Sequence, residues 1–147
     1  MHHELHTEAT IAAPPDLVWD ILTDLDRYEE WNPLITSGQG SADVGARLEL
    51  RMQNPGGKAM TLRPTVTEVE PAKTFEWLGH LILPGIFDGR HRFELTATDD
   101  GTKLVHREEF SGFAVRLFRS SLDDKTRNGF LAFNDALAAR AEAAVQT

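Results

Sequence analysis

The sharpest candidates for chemistry in this chain are His91, His106 and Glu108. An imidazole titrates near neutral pH unaided, and a carboxyl group does so once burial raises its pKa, so this set suits proton transfer. Two histidines and a carboxylate are also ligand types for zinc or non-haem iron, but neighbouring strand positions converge poorly on one point without a third element, so no metal site is expected. Other catalytic signatures are missing. No Gly-x-Ser-x-Gly elbow, phosphate loop or dinucleotide fingerprint occurs, and Gly38-Gln39-Gly40 lacks the remaining spacing. Cysteine is absent, which excludes disulfides, thiol catalysis and Cys-based zinc sites.

The three candidates sit in a hairpin. Asp100-Gly101, between two alternating runs, predicts a two-residue turn with Asp99 facing Thr102. That register sets Leu95 opposite His106, Phe93 opposite Glu108 and His91 opposite Phe110, with His91 diagonal to Glu108. The alternation independently puts His91, Phe93, Leu95 and Ala97 on one face with Leu104, His106, Glu108 and Phe110. A one-residue slip would instead turn Arg90, Arg92, Arg107 and Glu109 inward. Ionisable groups on an apolar face need a reason. They either anchor the polar end of a ligand, with Glu108 or a histidine as acid or base, or satisfy one another internally.

Further strands are expected over Glu4–Ile11 (Leu5, Ala9 and Ile11 inward), within Leu34–Gly40, over Arg47–Gln53, over Met60–Val66 with Pro64 marking an edge or bulge, and at Phe75 and Trp77. Between the first two lies APPDLVWDILTDLDRYEEWNP (13–33), which reads as two short helices. Pro14 and Pro15 suit a first helical turn, and Val18, Ile21, Leu22 and Leu25 share one face. Asp24 is placed to cap the second helix, Asn32-Pro33 to stop it, and Trp19 to pack structurally. From Phe113 to Ala144 the pattern turns helical, with Leu117, Phe118, Leu122, Phe130, Phe133, Leu137 and Ala141 mostly on one side. A break is expected near Ser120–Ser121, where Ser121 and Asp124 resemble a capping box, and Gly129 is a second weak point. The compact solution is α+β: an antiparallel sheet of about seven strands curled around one long C-terminal helix, in a single domain over 1–147.

Partners are bounded by charge. Twenty-three acidic against 15 basic residues give a net charge of −8, and neither RLFR (116–119) nor RHR (90–92) makes a basic footprint, so nucleic acid is not an expected partner. No run approaches a membrane span, and the first residues lack the order of a secretory leader, which makes the cytoplasm the expected compartment. His2, His3 and His6 are metal-binding types on an N-terminal stretch, with a mobile terminus as the ordinary explanation. LILPGIF (81–87) is too apolar for an ordinary loop. It reads as a lid flexing at Gly79, Gly85 or Gly89, as a folded-under loop, or as a homodimer contact.

IAAPPDLVWDILTDLDRYEEWNP (11–33), LPGIFDGRHRFEL (83–95), DGTKLVHREEFSG (100–112) and TRNGFLAFNDALAARAE (126–142) together resemble the START/Bet v 1-like (SRPBCC) superfamily and its bacterial polyketide cyclase/dehydrase-like branch. The resemblance spans essentially the whole chain. It implies a helix-grip fold with an apolar cavity between sheet and helix, binding lipids, sterols, polyketides or hormones, and in a minority of members cyclisation or aromatisation.

The expected function is therefore cofactor-free binding of a small hydrophobic molecule with one polar end. Trp31, Leu50, Trp77, Phe87, Phe93, Phe110, Phe130 and Phe133 are the candidate apolar lining, and His91, His106 and Glu108 the polar contacts. The alternatives are a cyclase, aromatase or dehydratase using Glu108 or a histidine, and a protein-interaction module like relatives that serve as chaperone co-factors.

Overall fold

The computed structural model describes residues 2–53, 58–80, 85, 88–112, 114–115 and 122–146. Strand β1 (His2–Ile11) runs antiparallel to β8 (Gly101–Ser111) along its whole length. Next come β7 (Asp88–Thr98), β6 (Thr74–His80) and β5 (Thr65–Glu70), giving a five-stranded sheet in the order β1-β8-β7-β6-β5. Strands β2 (Ile35–Gln39), β3 (Glu49–Met52) and β4 (Met60–Leu62) form a second sheet of three.

The strand expected over Met60–Val66 is divided between the two sheets. Pro64 lies at the division and has no N–H for a ladder, while its carbonyl accepts the N–H of Leu48 at 2.8 Å. With the Arg47–Thr65 bridge and the pairing of Val66 with Gly45 and Ala46, this bond continues one sheet into the other.

Helix α1 (Pro15–Thr23) starts with proline in its first turn and buries Val18 and Leu22. Trp19 meets Phe75 edge-on at 6.2 Å. A 3₁₀ helix (Leu25–Glu30) follows and buries Leu25 and Tyr28. Asp24 does not cap it. Its ψ of 74° is far from the extended value of a capping residue, and its carboxylate pairs with Arg27 instead, at 3.4 Å. Asn32 does end the segment: its Oδ1 accepts the N–H groups of Leu34 (3.0 Å) and Ile35 (2.8 Å), which turns the chain into β2.

The C-terminal helix α2 (Arg127–Val145) follows a π-helical turn (Leu122–Thr126). Its Phe130, Phe133, Leu137 and Ala141 form a fully buried stripe over the five-stranded sheet. Residues 113 and 116–121 of the expected longer helix, including Ser120–Ser121, lie outside the described residues. Glu142 accepts the N–H of Ala12 at 2.9 Å and Arg140 pairs with Glu30, so the two small helices and α2 close one end of the sheet. This is the helix-grip fold, α+β in class.

The β7–β8 register differs from expectation by two residues. Thr98 pairs with Gly101, Leu95 with Leu104, Phe93 with His106, His91 with Glu108 and Gly89 with Phe110. The turn is therefore centred on Asp99-Asp100. Gly101 serves a different need: a Cβ there would stand 2.1 Å from the Ile11 carbonyl oxygen, so the close approach of β1 requires glycine. An even shift preserves the faces. Outside, Arg92 reaches Glu76 (2.8 Å), Glu68 (3.2 Å) and Glu94 (3.3 Å), Arg90 reaches Glu76 (2.8 Å), and Arg107 reaches Glu94 (3.1 Å). Partial burial pushes Glu76 up, but hydrogen bonds from Arg92, Arg90 and Thr67 outweigh it and hold the carboxylate below its ordinary pKa.

Candidate functional site

The corrected register brings His91 directly across from Glu108, and His106 next along the inner face. The three form a line. Glu108 Oε1 lies 3.5 Å from His91 Nδ1, and His91 Nε2 lies 2.5 Å from His106 Nε2. The line continues to Asn134 of α2, whose Oδ1 is 2.7 Å from His106 Nδ1, and then to Thr7 of β1, whose Oγ1 is 2.9 Å from Asn134 Nδ2. Thr7 Oγ1 in turn donates to the His106 carbonyl at 2.8 Å.

This geometry assigns the protons. Two oxygens at 2.8 Å need a hydrogen between them, so the Thr7 hydroxyl is spent on the His106 carbonyl and can only accept from Asn134 Nδ2. The Asn134 amide is thereby oriented, and its Oδ1 must accept from His106 Nδ1–H. A neutral His106 then offers a lone pair at Nε2, so His91 donates from Nε2 and keeps a lone pair at Nδ1, towards Glu108.

Electrostatics agrees. His91, His106, Thr7 and Asn134 are all buried, and the Glu108 side chain is only 14% exposed. Burial, reinforced by the neighbouring His106, holds the His91 pKa well below the imidazole range. Burial also lowers His106 to about 3, against an upward pull from its Asn134 hydrogen bond. Glu108 is raised by burial to about 8. At neutral pH the line is uncharged, with Glu108 a carboxylic acid. Aromatic rings clamp it: His106 stacks on Phe130 at 4.2 Å and 7°, and His91 lies 4.8 Å from Trp77.

Glu108 and His91 open onto a cavity of about 90 Å³, otherwise lined by Met52, Met60, Leu62, Pro64, Trp77, Gly79, Gly89, Phe110 and Thr126. Gly89 makes room for the acid, since a Cβ there would fall 2.3 Å from Glu108 Oε2. It is a buried strand residue paired with Gly79, not part of a loop.

Of the candidate residues, Trp77, His91, Glu108 and Phe110 line this cavity. Leu50, Phe93, His106, Phe130 and Phe133 are closed into the packed core. Trp31 is half-buried at the helical end, edge-on to Tyr28 (5.2 Å) and Phe133 (5.5 Å). Phe87 lies outside the described residues, as does the rest of 81–87 except Gly85, whose N–H donates to the Asp88 carboxylate. His6 pairs with Glu8 at 2.9 Å on the outer face. No group of three or more His, Asp or Glu side chains is arranged to hold a metal among the described residues.

Thr7 and Asn134 are the members that hydrophobic pattern alone passes over. Both carry a readable signal. Thr7 occupies an inward position of an alternating strand between Leu5 and Ala9, and Asn134 lies four residues after Phe130 on the apolar side of α2.

The family model for polyketide cyclase/dehydrase and lipid transport matches residues 2–146. The chain belongs to this family. It therefore sits in the START/Bet v 1-like (SRPBCC) superfamily. Among solved structures, a Mesorhizobium loti protein is 26% identical, with a TM-score of 0.69 over 93% of this chain and 95% of its own. The Zhui aromatase/cyclase of Streptomyces sp. R1128 has a TM-score of 0.81 at 20% identity, over 99% and 96% of the two chains. Ara h 8.0201 has a TM-score of 0.67 at 17% identity, over 95% and 99%. At those lower identities the likeness is one of fold. No curated protein matches the chain significantly. No helix among the described residues is long and apolar enough to cross a membrane.

Proposed function

We propose that this family member binds a small, mainly apolar molecule with one polar end, in the cavity between the three-stranded sheet and the β6–β7–β8 end of the main sheet. The observation carrying this reading is a nearly buried carboxylic acid, Glu108, opening onto a wall of Met52, Met60, Leu62, Trp77 and Phe110. Ligand sites have this character: an apolar lining with few convergent polar groups. At about 90 Å³ the space is well below the ~300 Å³ of a typical drug-sized pocket, so the occupant is small or displaces the methionine-lined wall.

Uptake of the neutral fluorophore 1-aminoanthracene, compared between the native chain and Gly79→Val, tests the site. A Cβ at Gly79 meets only Pro64, at 3.5 Å, so valine fits the strand and fills the cavity. Fluorescence enhancement that disappears in the folded variant is expected. No uptake by the native chain, or equal uptake by both, would sink the reading.

A second reading is favoured by the same acid. A carboxyl group raised to about 8 beside a cavity is poised as a general acid for a cyclase- or dehydratase-type step on a polyketide-like substrate. In that case Glu108→Gln abolishes turnover while leaving affinity largely unchanged. Parallel losses of both would argue for a purely binding role.

A further inference from the structure

We infer that the Glu108–His91 end of the cavity selects a neutral hydroxyl group, phenolic or alcoholic, over a carboxylate. This rests on the binding reading and names the chemistry of the ligand's polar end.

The argument starts at His91 Nδ1. Its lone pair is fixed by the proton order running back to Thr7, and the ring is 1% exposed. Its facing partner, Glu108 Oε1, is 3.5 Å away, beyond good hydrogen-bonding distance. A buried acceptor held that loosely is under-satisfied. Glu108, uncharged, offers the complementary O–H donor.

A hydroxyl matches both groups with one oxygen, donating to His91 Nδ1 and accepting from Glu108. A carboxylate presents only lone pairs and would set a charge against the His91 lone pair. Nothing in the described lining compensates that charge. Glu108 and His91 are its titratable members, and it contains no lysine or arginine. Arg90, Arg92 and Arg107 point to the opposite face of the sheet, into their own carboxylate network. An unpaired charge buried in such a place is strongly disfavoured.

The test uses three ligands on one ring body, p-cresol, p-toluate and p-xylene, titrated at pH 6.5 and followed by amide chemical shifts. p-Cresol is expected to bind on the order of tenfold more tightly than either of the others, the discrimination typical of a site with buried polar groups to satisfy. Glu108→Leu should reduce p-cresol to the level of p-xylene, whereas Glu108→Gln, whose amide N–H replaces the acid O–H, should keep the preference. Binding of p-toluate equal to or tighter than p-cresol overturns the inference and leaves the binding reading intact. A preference that survives Glu108→Leu also overturns it, because the hydroxyl is then recognised elsewhere. Binding of none of the three overturns both.

Discussion

Strands β7 and β8 carry ionisable residues on both faces, and the two faces hold them in opposite states. Outside, Arg90, Arg92 and Arg107 are charged and share the carboxylates of Glu68, Glu76 and Glu94. Inside, Glu108, His91 and His106 are neutral; a directed line of hydrogen bonds satisfies His106 and His91 Nε2, and His91 Nδ1 faces the acid at 3.5 Å. Residues two apart on one strand share a face, while the next residue along looks out, so one backbone step separates the regimes. Partners decide between them: the Glu76 side chain, 8% exposed against 14% for Glu108, stays ionised because Arg90 and Arg92 bond it, whereas no such cation among the described residues bonds Glu108. With a cation in bonding reach a carboxylate stays ionised even where water is scarce; without one, buried groups shed their charge and an unpaired donor or acceptor becomes the expensive event.

The largest expected effect that sharpens this contrast is pH. His106 falls from 6.5 to about 3 on folding and His91 is also lowered, so their stabilisation is present above pH 6.5 and lost as pH falls. Each contributes a slope of about 1.4 kcal/mol per pH unit. Glu108 rises from 4.5 to about 8, so its stabilisation is full below pH 4.5 and is lost as pH rises to 8. Stability to urea should peak near pH 6.5, and from there to pH 8 Glu108 alone should remove about 2 kcal/mol. Glu108→Gln should flatten that alkaline limb. A native profile level from pH 5 to 8 would mean the inner face is not neutral.

Next in size is Asn134→Leu, which strands the His106 Nδ1–H and should cost about 1–3 kcal/mol of unfolding free energy, read from the denaturant midpoint and slope. A loss near the ~0.5 kcal/mol of an ordinary surface change would break the contrast from the inside. The smallest effect belongs to the outer face. Lys103→Met, which removes the 3.2 Å pair with Glu8 where both side chains are about half exposed, should cost about 1 kcal/mol or less, and raising the salt to 1 M should shrink the difference. A larger, salt-insensitive loss would show that the outer network behaves as a buried one.

The division into faces was legible in the sequence, because alternation survives any even error in register. The pairing itself was not. Asp100-Gly101 has the composition of a turn centre, but the steric demand at Gly101 comes from Ile11, ninety residues away along the chain, and local composition carries no trace of it. His91, His106 and Glu108 could be read because ionisable residues in an apolar run are conspicuous. Their partners Thr7 and Asn134 were less visible, since a small polar residue at an inward position resembles tolerated noise in a hydrophobic pattern. The position of the cavity was out of reach. Phe93, Phe130 and Phe133 are close-packed while Met52, Leu62 and Phe110 border a void, and apolar character is common to both sets.

The line of hydrogen bonds from His91, the residue facing Glu108, finishes by folding back onto the backbone carbonyl of His106. A carbonyl oxygen accepts a hydrogen bond but has no proton of its own to hand on, so the line is a cul-de-sac rather than a wire. No current of protons can run through it from one side of the molecule to the other. Whatever Glu108 takes or gives, it must trade across the cavity, with the ligand or with water beside it.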